Sequence, residues 1–482
     1  MRTQCNQESF PFHALFRRQV CGRFDGGAIT SDAGGPTPAE GLWPAGGLLL
    51  REVEKRTGIL AQFAACFTDH RDPERIERTV RELVAQRVYA LALAYEDLND
   101  HDQLRHDPLL AVLAEKPDPS GESRVRERDQ GKALAGKSTL NRLELTGEVV
   151  SEEERYKKIA LEEAAVDRML VEVFLEAHEL APAEIILDLD ATDDAVHGNQ
   201  EGRFFHGYYG HYCYLPLYIF CGEHLLCARL RPSNIDASAG GLEEVERIVA
   251  EIRQAWPEVK ITLRGDSGFC REELMSWCET HRVDYVLGLA KNQRLKAEIA
   301  PELEQAAAEY AATGQAARVF KEFTYQTRES WSRARRVIAK AEQLEKGSNP
   351  RFVVTSLSPE AWEARRLYEE LYCARGEMEN RIKEQLSLFA DRTSTAFLRS
   401  NQIRLYFSSV AYLLMQALRR LGLEGTELAR AQCDTLRLKL LKIGAQIRVT
   451  VRRVWIWLAE GYAYAQLFAQ VYAQLRALPL RR

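Results

Sequence analysis

The feature that most constrains the fold is a change of hydrophobic period near residue 183. Before it, apolar residues recur at the spacing of amphipathic helices, and after it short apolar runs alternate with helical segments. The run AEIILDLDAT predicts a strand, YLPLYIFCG and HLLCARLRP predict a following pair, and VKITLRGDSGF and VDYVLGLA predict two more. Strands interrupted by helices indicate an α/β fold with a sheet of mixed direction.

Helical patterning lies on both sides of this region, and a small antiparallel insertion is predicted over 318–357, followed by one long helix over 359–390. We therefore expect five parts in chain order. They are an N-terminal, mostly helical region (1–150), the first part of the α/β core (151–314), a β-rich insertion (315–357), the second part of the core (358–400) and a C-terminal helical region (401–482).

Composition excludes several classes of protein. Charged residues make up 28% and hydrophobic residues 46%, and no apolar run approaches the roughly 20 residues that span a bilayer. The 10 cysteines include no C-x-x-C pair, which indicates reduced thiols in the cytoplasm and gives no zinc site. The net charge of −5 does not indicate nucleic-acid binding. Residues 401–482, however, hold 13 Lys or Arg against 4 Asp or Glu, which either contact phosphate or form a solvated helical face.

The stretch GKALAGKST (131–139) matches the phosphate-binding pattern G-x-x-x-x-G-K-[ST]. A working loop of this kind follows a buried strand, whereas the preceding SGESRVRERDQ is too polar to form one. We instead predict a helix with Ser138 or Thr139 as its N-cap. Lys137 and Arg142 would flank its N-terminus, where cationic side chains meet DNA phosphates. No ATP turnover is expected.

Acidic residues occur at the ends of two predicted strands. Side chains alternate along a strand, so Asp188 and Asp190 in LDLDATDD point to the same face. Burying two carboxylates is costly unless a cation offsets their charge, and Mg²⁺ takes oxygen ligands of this kind. The alternative is that the strand frays and both acids are solvated. Asp266 ends another apolar strand, where ligands gather in open sheets, although many such residues only form turns.

A further acid lies on the predicted long helix. Tyr372, Arg375, Glu379 and Lys383 form one stripe at i, i+3, i+7 and i+11. An apolar stripe beside it would pack the helix against the sheet and present Glu379 at the edge of the sheet. The alternative is that these charged residues form ordinary Glu–Lys pairs on a surface helix. Carboxylates on two strands and this helix can hold two metal ions roughly 3.5–4 Å apart, as in in-line phosphoryl transfer. Arg375 and Lys383 would then contact phosphates.

At these residues the chain resembles the DDE transposases of bacterial insertion sequences, and specifically the thirteen-eighty family. The resemblance extends over nearly the whole chain and rests on FDGGAITSDAGG, CFTDHRDPERIE, YEDLNDHDQLRHDP, LAGKSTLNRLE, LDLDATDDAVHGNQEGRFFHGYYGHYCYLPLYIF, LRGDSGF, YCARGEMENRIKEQ and NQIRLYFSSVAYLLMQALR. It implies a ribonuclease H-like mixed sheet with flanking helices, a β-rich insertion, and helical terminal regions. The N-terminal region is expected to bind the transposon ends.

The resemblance also implies the residues of the site. The catalytic and metal-binding carboxylates are expected to be Asp190, Asp266 and Glu379, with Asp188 as a further candidate metal ligand. The expected DNA-binding residues are Tyr372, Arg375, Lys383, Lys137, Arg142 and Trp331. The signature lysine of the wider superfamily is absent, because its position is Leu386, and Lys383 is the expected substitute. Trp331 resembles an aromatic that stacks on a flipped base, and a core tryptophan is the alternative.

The implied function is metal-dependent DNA strand cleavage and strand transfer at the terminal inverted repeats of an insertion sequence. The expected cofactors are two Mg²⁺ ions, for which Mn²⁺ substitutes. The expected partners are the transposon ends, the target DNA and further copies of the chain in a homodimer or higher synapse, with no membrane. The expected location is the cytoplasm, with the nucleoid when DNA is bound. The alternative is a non-catalytic or impaired DNA-end-binding protein derived from such a transposase.

The segment PTPAEGLWPAGG (Pro36–Gly47) interrupts the family pattern. Its turn-rich composition predicts that it loops out at little cost, since loop entropy grows slowly with length. Its deletion is then expected to preserve or raise the affinity for transposon ends, whereas a loss would make the segment part of the binding site.

An aromatic cluster follows the first pair of acids. Its members are Phe204, Phe205, Tyr208, Tyr209 and Tyr212. They can stack on bases, and packing in the core is the alternative that we expect.

Overall fold

The computed structural model describes residues 23–24, 27–28, 43–450, 454–459 and 461–481. Its strands are β1 (Arg23–Phe24), β2 (Gly27–Ala28), β3 (Trp43–Pro44), β4 (Phe67–Asp69), β5 (Ile159–Leu161), β6 (Glu184–Ala191), β7 (Asp194–Ala195), β8 (Phe204–His206), β9 (His211–Tyr214), β10 (Leu217–Cys221), β11 (His224–Arg229), β12 (Lys260–Gly265), β13 (Asp284–Leu289), β14 (Ala317–Tyr325), β15 (Arg335–Leu344), β16 (Gly347–Ser348), β17 (Arg351–Thr355), β18 (Gly444–Val449) and β19 (Val454–Leu458).

Its α-helices are α1 (Gly47–Thr57), α2 (Ile59–Ala65), α3 (Val80–Ala92), α4 (His101–Leu104), α5 (Pro108–Leu113), α6 (Lys137–Glu144), α7 (Glu163–Glu176), α8 (Gly241–Ala255), α9 (Glu272–Thr280), α10 (Gln293–Glu298), α11 (Ala300–Thr313), α12 (Ala364–Arg366), α13 (Gly376–Ser387), α14 (Leu398–Leu418), α15 (Cys433–Leu436) and α16 (Ala465–Ala477). Turns of 3₁₀-helix occupy Pro73–Arg75, Leu98–Asp100, Glu127–Asp129 and Cys373–Arg375, and π-helix occupies Leu367–Tyr372, Arg419–Leu423 and Arg437–Leu441. No helix in these described ranges is long and apolar enough to cross a membrane.

A large mixed sheet organises the middle of the chain. Its strand order is β11-β10-β6-β12-β13-β17-β15-β14, with β16 beside β15. β10 runs antiparallel to β6 and β11, whereas β12 runs parallel to β6 and β13. The predicted α/β fold, a mixed sheet with flanking helices, is confirmed.

The two faces of this sheet are buried against different elements. On one face, Leu187 and Leu189 of β6 join a core with apolar side chains of α7, α8 and α9. On the other face, Ile186 packs against a second core, to which the π-helical segment contributes Leu367 and Leu371. Because side chains alternate along β6, Asp188 and Asp190 share the face of Ile186. The segment that precedes α13 is thus held against the face that carries the acids.

The predicted antiparallel, β-rich insertion is present, and its strands join the central sheet. β17 pairs with β13 of the central sheet, and β15 pairs in turn with β17 and β14. The inserted strands therefore extend the sheet to 9 strands. The physical reason is that β13 would otherwise present an open edge of unpaired backbone groups, which β17 satisfies.

The helix predicted over 359–390 is present as a continuous helical run over 364–387, but it is not regular α-helix throughout. The chain forms α12, a π-helical stretch and a 3₁₀ turn before α13 begins at Gly376. The carbonyl of Leu371 accepts a hydrogen bond from Arg264 Nη1 at 2.6 Å. We attribute the departure from regular α-helix to this contact, because it draws a backbone acceptor toward a side chain outside the helix.

The chain divides into two compact units. One consists of Met1–Gly58, Glu77–Leu140 and Ala417–Arg482, and the other of Ile59–Ile76 and Asn141–Gln416. This division differs from the five predicted parts, because the two ends of the chain share a unit. Within that unit β3 pairs with β18, and α1 packs against α16.

The C-terminal region was predicted to be helical, but it also contains two strands. β18 and β19 pair with each other in antiparallel fashion. The segment Pro36–Gly47 meets this hairpin. Residues 36–42 lie outside the described residues, but Trp43 and Pro44 pair with β18, and Ala45 is fully buried. The prediction that the whole segment loops out at little cost is therefore wrong for its last residues. Its complete deletion would remove a strand and the first residue of α1.

We predict that Gly46→Ala destabilises the protein by about 1–3 kcal/mol, the range for overpacked sites. A Cβ at this position would lie 2.1 Å from the Leu440 carbonyl oxygen and 2.2 Å from the Leu441 Cα. Gly461→Ala is the matched control in the same unit, since its Cβ would meet nothing within 4 Å. Denaturant unfolding of both variants measures the difference, and equal stabilities would contradict the close packing at Gly46.

Candidate active site

Asp190 lies at the carboxyl end of β6, opposite Tyr218 of β10. Its side chain is 16% exposed, so the carboxylate is largely withdrawn from water. The alternative of a frayed strand with two solvated acids does not hold, because β6 continues to Ala191 and Asp188 is 4% exposed. Both acids are therefore buried on one face of the sheet.

Asp188 is engaged by a neighbouring arginine. Arg264 of β12 lies beside it in register, and its Nε and Nη2 donate to the two Asp188 oxygens at 2.5 and 2.7 Å. The remaining nitrogen, Nη1, donates to the Leu371 carbonyl at 2.6 Å. One buried guanidinium thus joins β6, β12 and the segment that leads to α13. Asp188 would have to give up these bonds to bind a metal, and its role as a ligand stays a prediction.

Asp266 follows β12 at the same edge of the sheet. β6 and β12 are parallel, with Gly265 opposite Leu189, so the two strands bring Asp266 beside Asp190. One oxygen of Asp266 accepts the N–H of Gly268 at 2.8 Å, which closes a tight turn. A Cβ at Gly268 would lie 2.9 Å from that oxygen. The glycine in LRGDSGF therefore permits the turn that orients this carboxylate.

Arg375 connects the acids of strand and helix. Its Nη1 lies 3.1 Å from Asp190 Oδ2, and its Nη2 lies 3.7 Å from Glu379 Oε1. Arg375 closes the 3₁₀ turn and Glu379 stands in the first turn of α13. Glu379 is 54% exposed, whereas Arg375 is 19% exposed. The guanidinium is thus the cation of the site, between one buried and one accessible carboxylate.

The electrostatics show that the three acids share one environment. Burial raises the pKa of Asp190 to about 6, the charge of Arg375 opposes this rise, and the charges of Asp266 and Glu379 add to it. In the described part of the chain, no three Asp, Glu, His or Cys side chains stand close enough together to hold a metal ion. The donor set is nevertheless all carboxylate, which suits a hard divalent cation.

Tyr372 fills a space that a glycine leaves open. A Cβ at Gly288 of β13 would lie 2.7 Å from the Tyr372 hydroxyl oxygen and 2.9 Å from the Ser267 nitrogen. Burial raises the pKa of Tyr372, and the charge of Asp266 adds to this rise. Tyr372 therefore packs against the turn that carries Asp266, and its contact with DNA stays a prediction.

Three further residues were predicted to bind DNA: Lys383, Lys137 and Arg142. Lys383 is exposed on α13. Lys137 begins α6 and lies 3.4 Å from Asp102, while Arg142 is exposed with its guanidinium 4.4 Å from the ring centre of Tyr156. The predicted N-cap at Ser138 or Thr139 is wrong, because α6 begins at Lys137 and both residues lie inside the helix. DNA contact by these three cations stays a prediction.

Trp331 takes the core alternative. It is 6% exposed, packs edge to face on Tyr325 at 5.8 Å, and carries the guanidinium of Arg335 over its ring at 5.4 Å. A base could reach this ring only if the surrounding core opened, so the structure does not support Trp331 as a DNA-binding residue.

The sequence contained a signal for Arg264 that is easily missed. An arginine inside the apolar run VKITLRG is as costly as the acids inside AEIILDLD. Two opposite charges in adjacent buried strands predict a pair, provided that the strands are adjacent and in register. The sequence around Gly288 does not indicate that a glycine is required there. The requirement appears only in the structure, where the Tyr372 hydroxyl occupies the space of a Cβ.

We predict that Asp188→Leu or Arg264→Leu lowers the free energy of unfolding by about 3–5 kcal/mol, because each leaves a buried charge without its partner. The double variant should lose less than the sum of the two. The exposed pair Arg366 and Glu370, 58% and 61% exposed on the neighbouring segment, provides the control. Arg366→Ala should cost less than about 1 kcal/mol. Additive losses at Asp188 and Arg264 would show that the two do not act as a pair.

The chain is similar to piggyBac transposase in a cryo-EM structure of its synaptic complex with hairpin DNA, with a TM-score of 0.38 and 10% identity, covering 82% of this chain and 80% of that chain. Curated proteins give no match. The family model described as Transposase DDE domain group 1 matches residues 12–480. Since that match extends over nearly the whole chain, the protein belongs to the DDE transposase family, domain group 1.

Proposed function

We propose that this transposase cleaves DNA and transfers strands at the terminal inverted repeats of a bacterial insertion sequence, of the thirteen-eighty type. The observation that carries this proposal is the meeting of Asp190, Asp266 and Glu379 around Arg375. The first two come from adjacent parallel strands and the third from a helix docked on the same face of the sheet. DNA is the expected substrate because the chain is a DDE transposase.

The three acids are the proposed holders of two divalent ions, Mg²⁺ or in its place Mn²⁺. When bound, such ions activate a water or a 3′-hydroxyl and stabilise the leaving oxygen of a phosphodiester. Asp190 is held ready by its strand and Asp266 by its turn, whereas the exposed Glu379 has to move toward them. Asp188 is left out of this set, because Arg264 occupies both of its oxygens.

The cations of the site have separate proposed roles. Arg375 neutralises Asp190 in the present arrangement, and it can pair with a phosphate once the acids are neutralised by metal, since guanidinium binds phosphate in bidentate fashion. Lys383, one turn after Glu379 and exposed, can add a point charge to the DNA backbone. Two copies of the chain, or more, would be needed to hold two transposon ends together.

We predict that Glu379→Gln abolishes cleavage without loss of DNA binding. The assay uses labelled duplex DNA carrying the inverted repeats that flank the gene, with Mg²⁺ or Mn²⁺. Loss of a charged ligand removes several kcal/mol of transition-state stabilisation, which corresponds to a fall in rate of at least about 100-fold. Glu377→Gln, on the same helix and also exposed, should cleave at nearly the wild-type rate.

The outcomes separate the proposed function from its alternative. Nicks at the repeat boundary that vanish in Glu379→Gln support metal-dependent cleavage. Binding without cleavage by the wild-type protein would favour a disabled DNA-end-binding protein. Equal cleavage by the two variants and the wild type would remove Glu379 from the site.

A further inference from the structure

The aromatic cluster that follows Asp190 is not part of the core, which corrects the expected alternative. Phe204, Phe205, Tyr208 and Tyr212 are 42%, 59%, 86% and 47% exposed. They lie on a small sheet of order β7-β9-β8, inserted between β6 and β10. The hairpin buries only Cys213 and Tyr214 among the side chains of its two longer strands. Its exposed rings therefore contribute little to stability and call for a different explanation.

Three groups of this hairpin share one exposed face. Phe205 stands directly opposite Tyr212, so both point to the same side, with ring centres 5.7 Å apart. Arg203, two residues before Phe205, lies over the Tyr212 ring at 4.5 Å. No carboxylate in the described part of the chain pairs with its guanidinium, which donates to the Asn199 side chain instead. We call Arg203, Phe205 and Tyr212 the stacking face.

The base of the hairpin is fixed while its turn is open. The Tyr214 hydroxyl donates to the Glu201 carbonyl at 2.7 Å, and Ser233 Oγ donates to the Phe204 carbonyl at 3.0 Å. At the turn, a Cβ on Gly207 or Gly210 would meet nothing within 4 Å. The rings are thus presented by a fixed backbone to free space, as a preorganised binding surface requires.

The hairpin is continuous with the candidate active site. β7 begins at Asp194, shortly after Asp190 at the end of β6. Tyr209 of the turn packs on Tyr208 at 5.0 Å and on His206 at 4.8 Å, and the charges of Asp193 and Asp190 act on its phenol. The hairpin that carries the stacking face thus follows Asp190 closely in the chain, and its turn residue Tyr209 lies within the electrostatic reach of that acid.

We propose that the stacking face binds unpaired bases of the DNA strand that enters the active site, an inference that rests on the proposed function. The face offers two ring faces and a guanidinium but no aliphatic side chain, which is the chemistry that stacks on bases regardless of sequence. Paired bases inside a duplex are already stacked on their neighbours. The occupant is therefore single-stranded, as at a DNA end opened for cleavage.

The test uses a single-stranded run of thymidines containing the fluorescent adenine analogue 2-aminopurine, whose emission falls when it stacks on an aromatic ring. We expect the wild-type protein to quench this probe. The double variant Phe205→Ala/Tyr212→Ala should bind it roughly 5- to 150-fold more weakly, the effect of losing about 1–3 kcal/mol of stacking. Tyr212→Phe, which keeps the ring, should stay within about twofold of the wild type.

The matched control is Phe397→Ala, because Phe397 is 57% exposed in the same unit but lies outside the hairpin. Circular dichroism confirms that each variant is folded. Unchanged quenching by the double variant would overturn the inference. If the double variant quenches as the wild type does but sediments as a monomer where the wild type is a dimer, the inference is overturned. The face would then be a contact between copies of the chain.

Cleavage of duplex ends, measured in parallel, separates this inference from the proposed function. Cleavage by a wild-type protein that does not quench the probe would overturn the stacking face and leave the proposed function standing. Quenching that depends on Phe205 and Tyr212, without cleavage, would support the stacking face and count against the catalytic proposal.

Discussion

The arrangement of the site depends on one buried guanidinium. Arg264 donates to both oxygens of Asp188 and to the carbonyl of Leu371, and so ties two central strands to the segment that carries Arg375 and Glu379. A buried charge is costly unless every hydrogen-bonding group around it is satisfied, and removal of either partner leaves the other unpaired. The contact is therefore strongly directional, and it fixes where the helix of the third acid lies on the sheet. Leu367 and Leu371 also pack against apolar side chains of the sheet, which supports the same placement.

Neighbouring acids on one strand consequently have different roles. Asp188 and Asp190 are two residues apart and share a face, but Asp188 faces Arg264 in the sheet while Asp190 lies at the edge beside Arg375. The first is neutralised by a partner that cannot leave without opening the core. Asp190 forms an ion pair with Arg375, which lies in the 3₁₀ turn after the π-helical segment and close to the more exposed Glu379. The same residue type thus serves structure at one position and is available for chemistry at the next.

Local pattern and tertiary context account for what sequence reasoning could and could not reach. The strand through Asp188 and Asp190 and the strands predicted after it follow from period alone and are found in the structure. The long helix is found, but its departure from regular α-helix does not follow from period, because it involves the carbonyl of Leu371 and a distant arginine. The pairing of the inserted strands with β13 does not follow either, because strand pairing is a nonlocal choice that a strand pattern does not encode.

The sequence by itself determined that strands alternate with helices, that the acids of the first strand share a face, and that the chain belongs with DDE transposases. The first two properties are written in residue order, since side-chain alternation and helical period are local consequences of backbone geometry. The third rests on the motifs that resemble the family. Only the tertiary structure decided that Asp188 pairs with Arg264, that Trp331 is buried, and that the aromatic residues after Asp190 are exposed. Burial and pairing depend on which distant segments meet, and side-chain type alone does not specify them: one aromatic side chain, Trp331, lies in a core, whereas another, Phe205, is exposed.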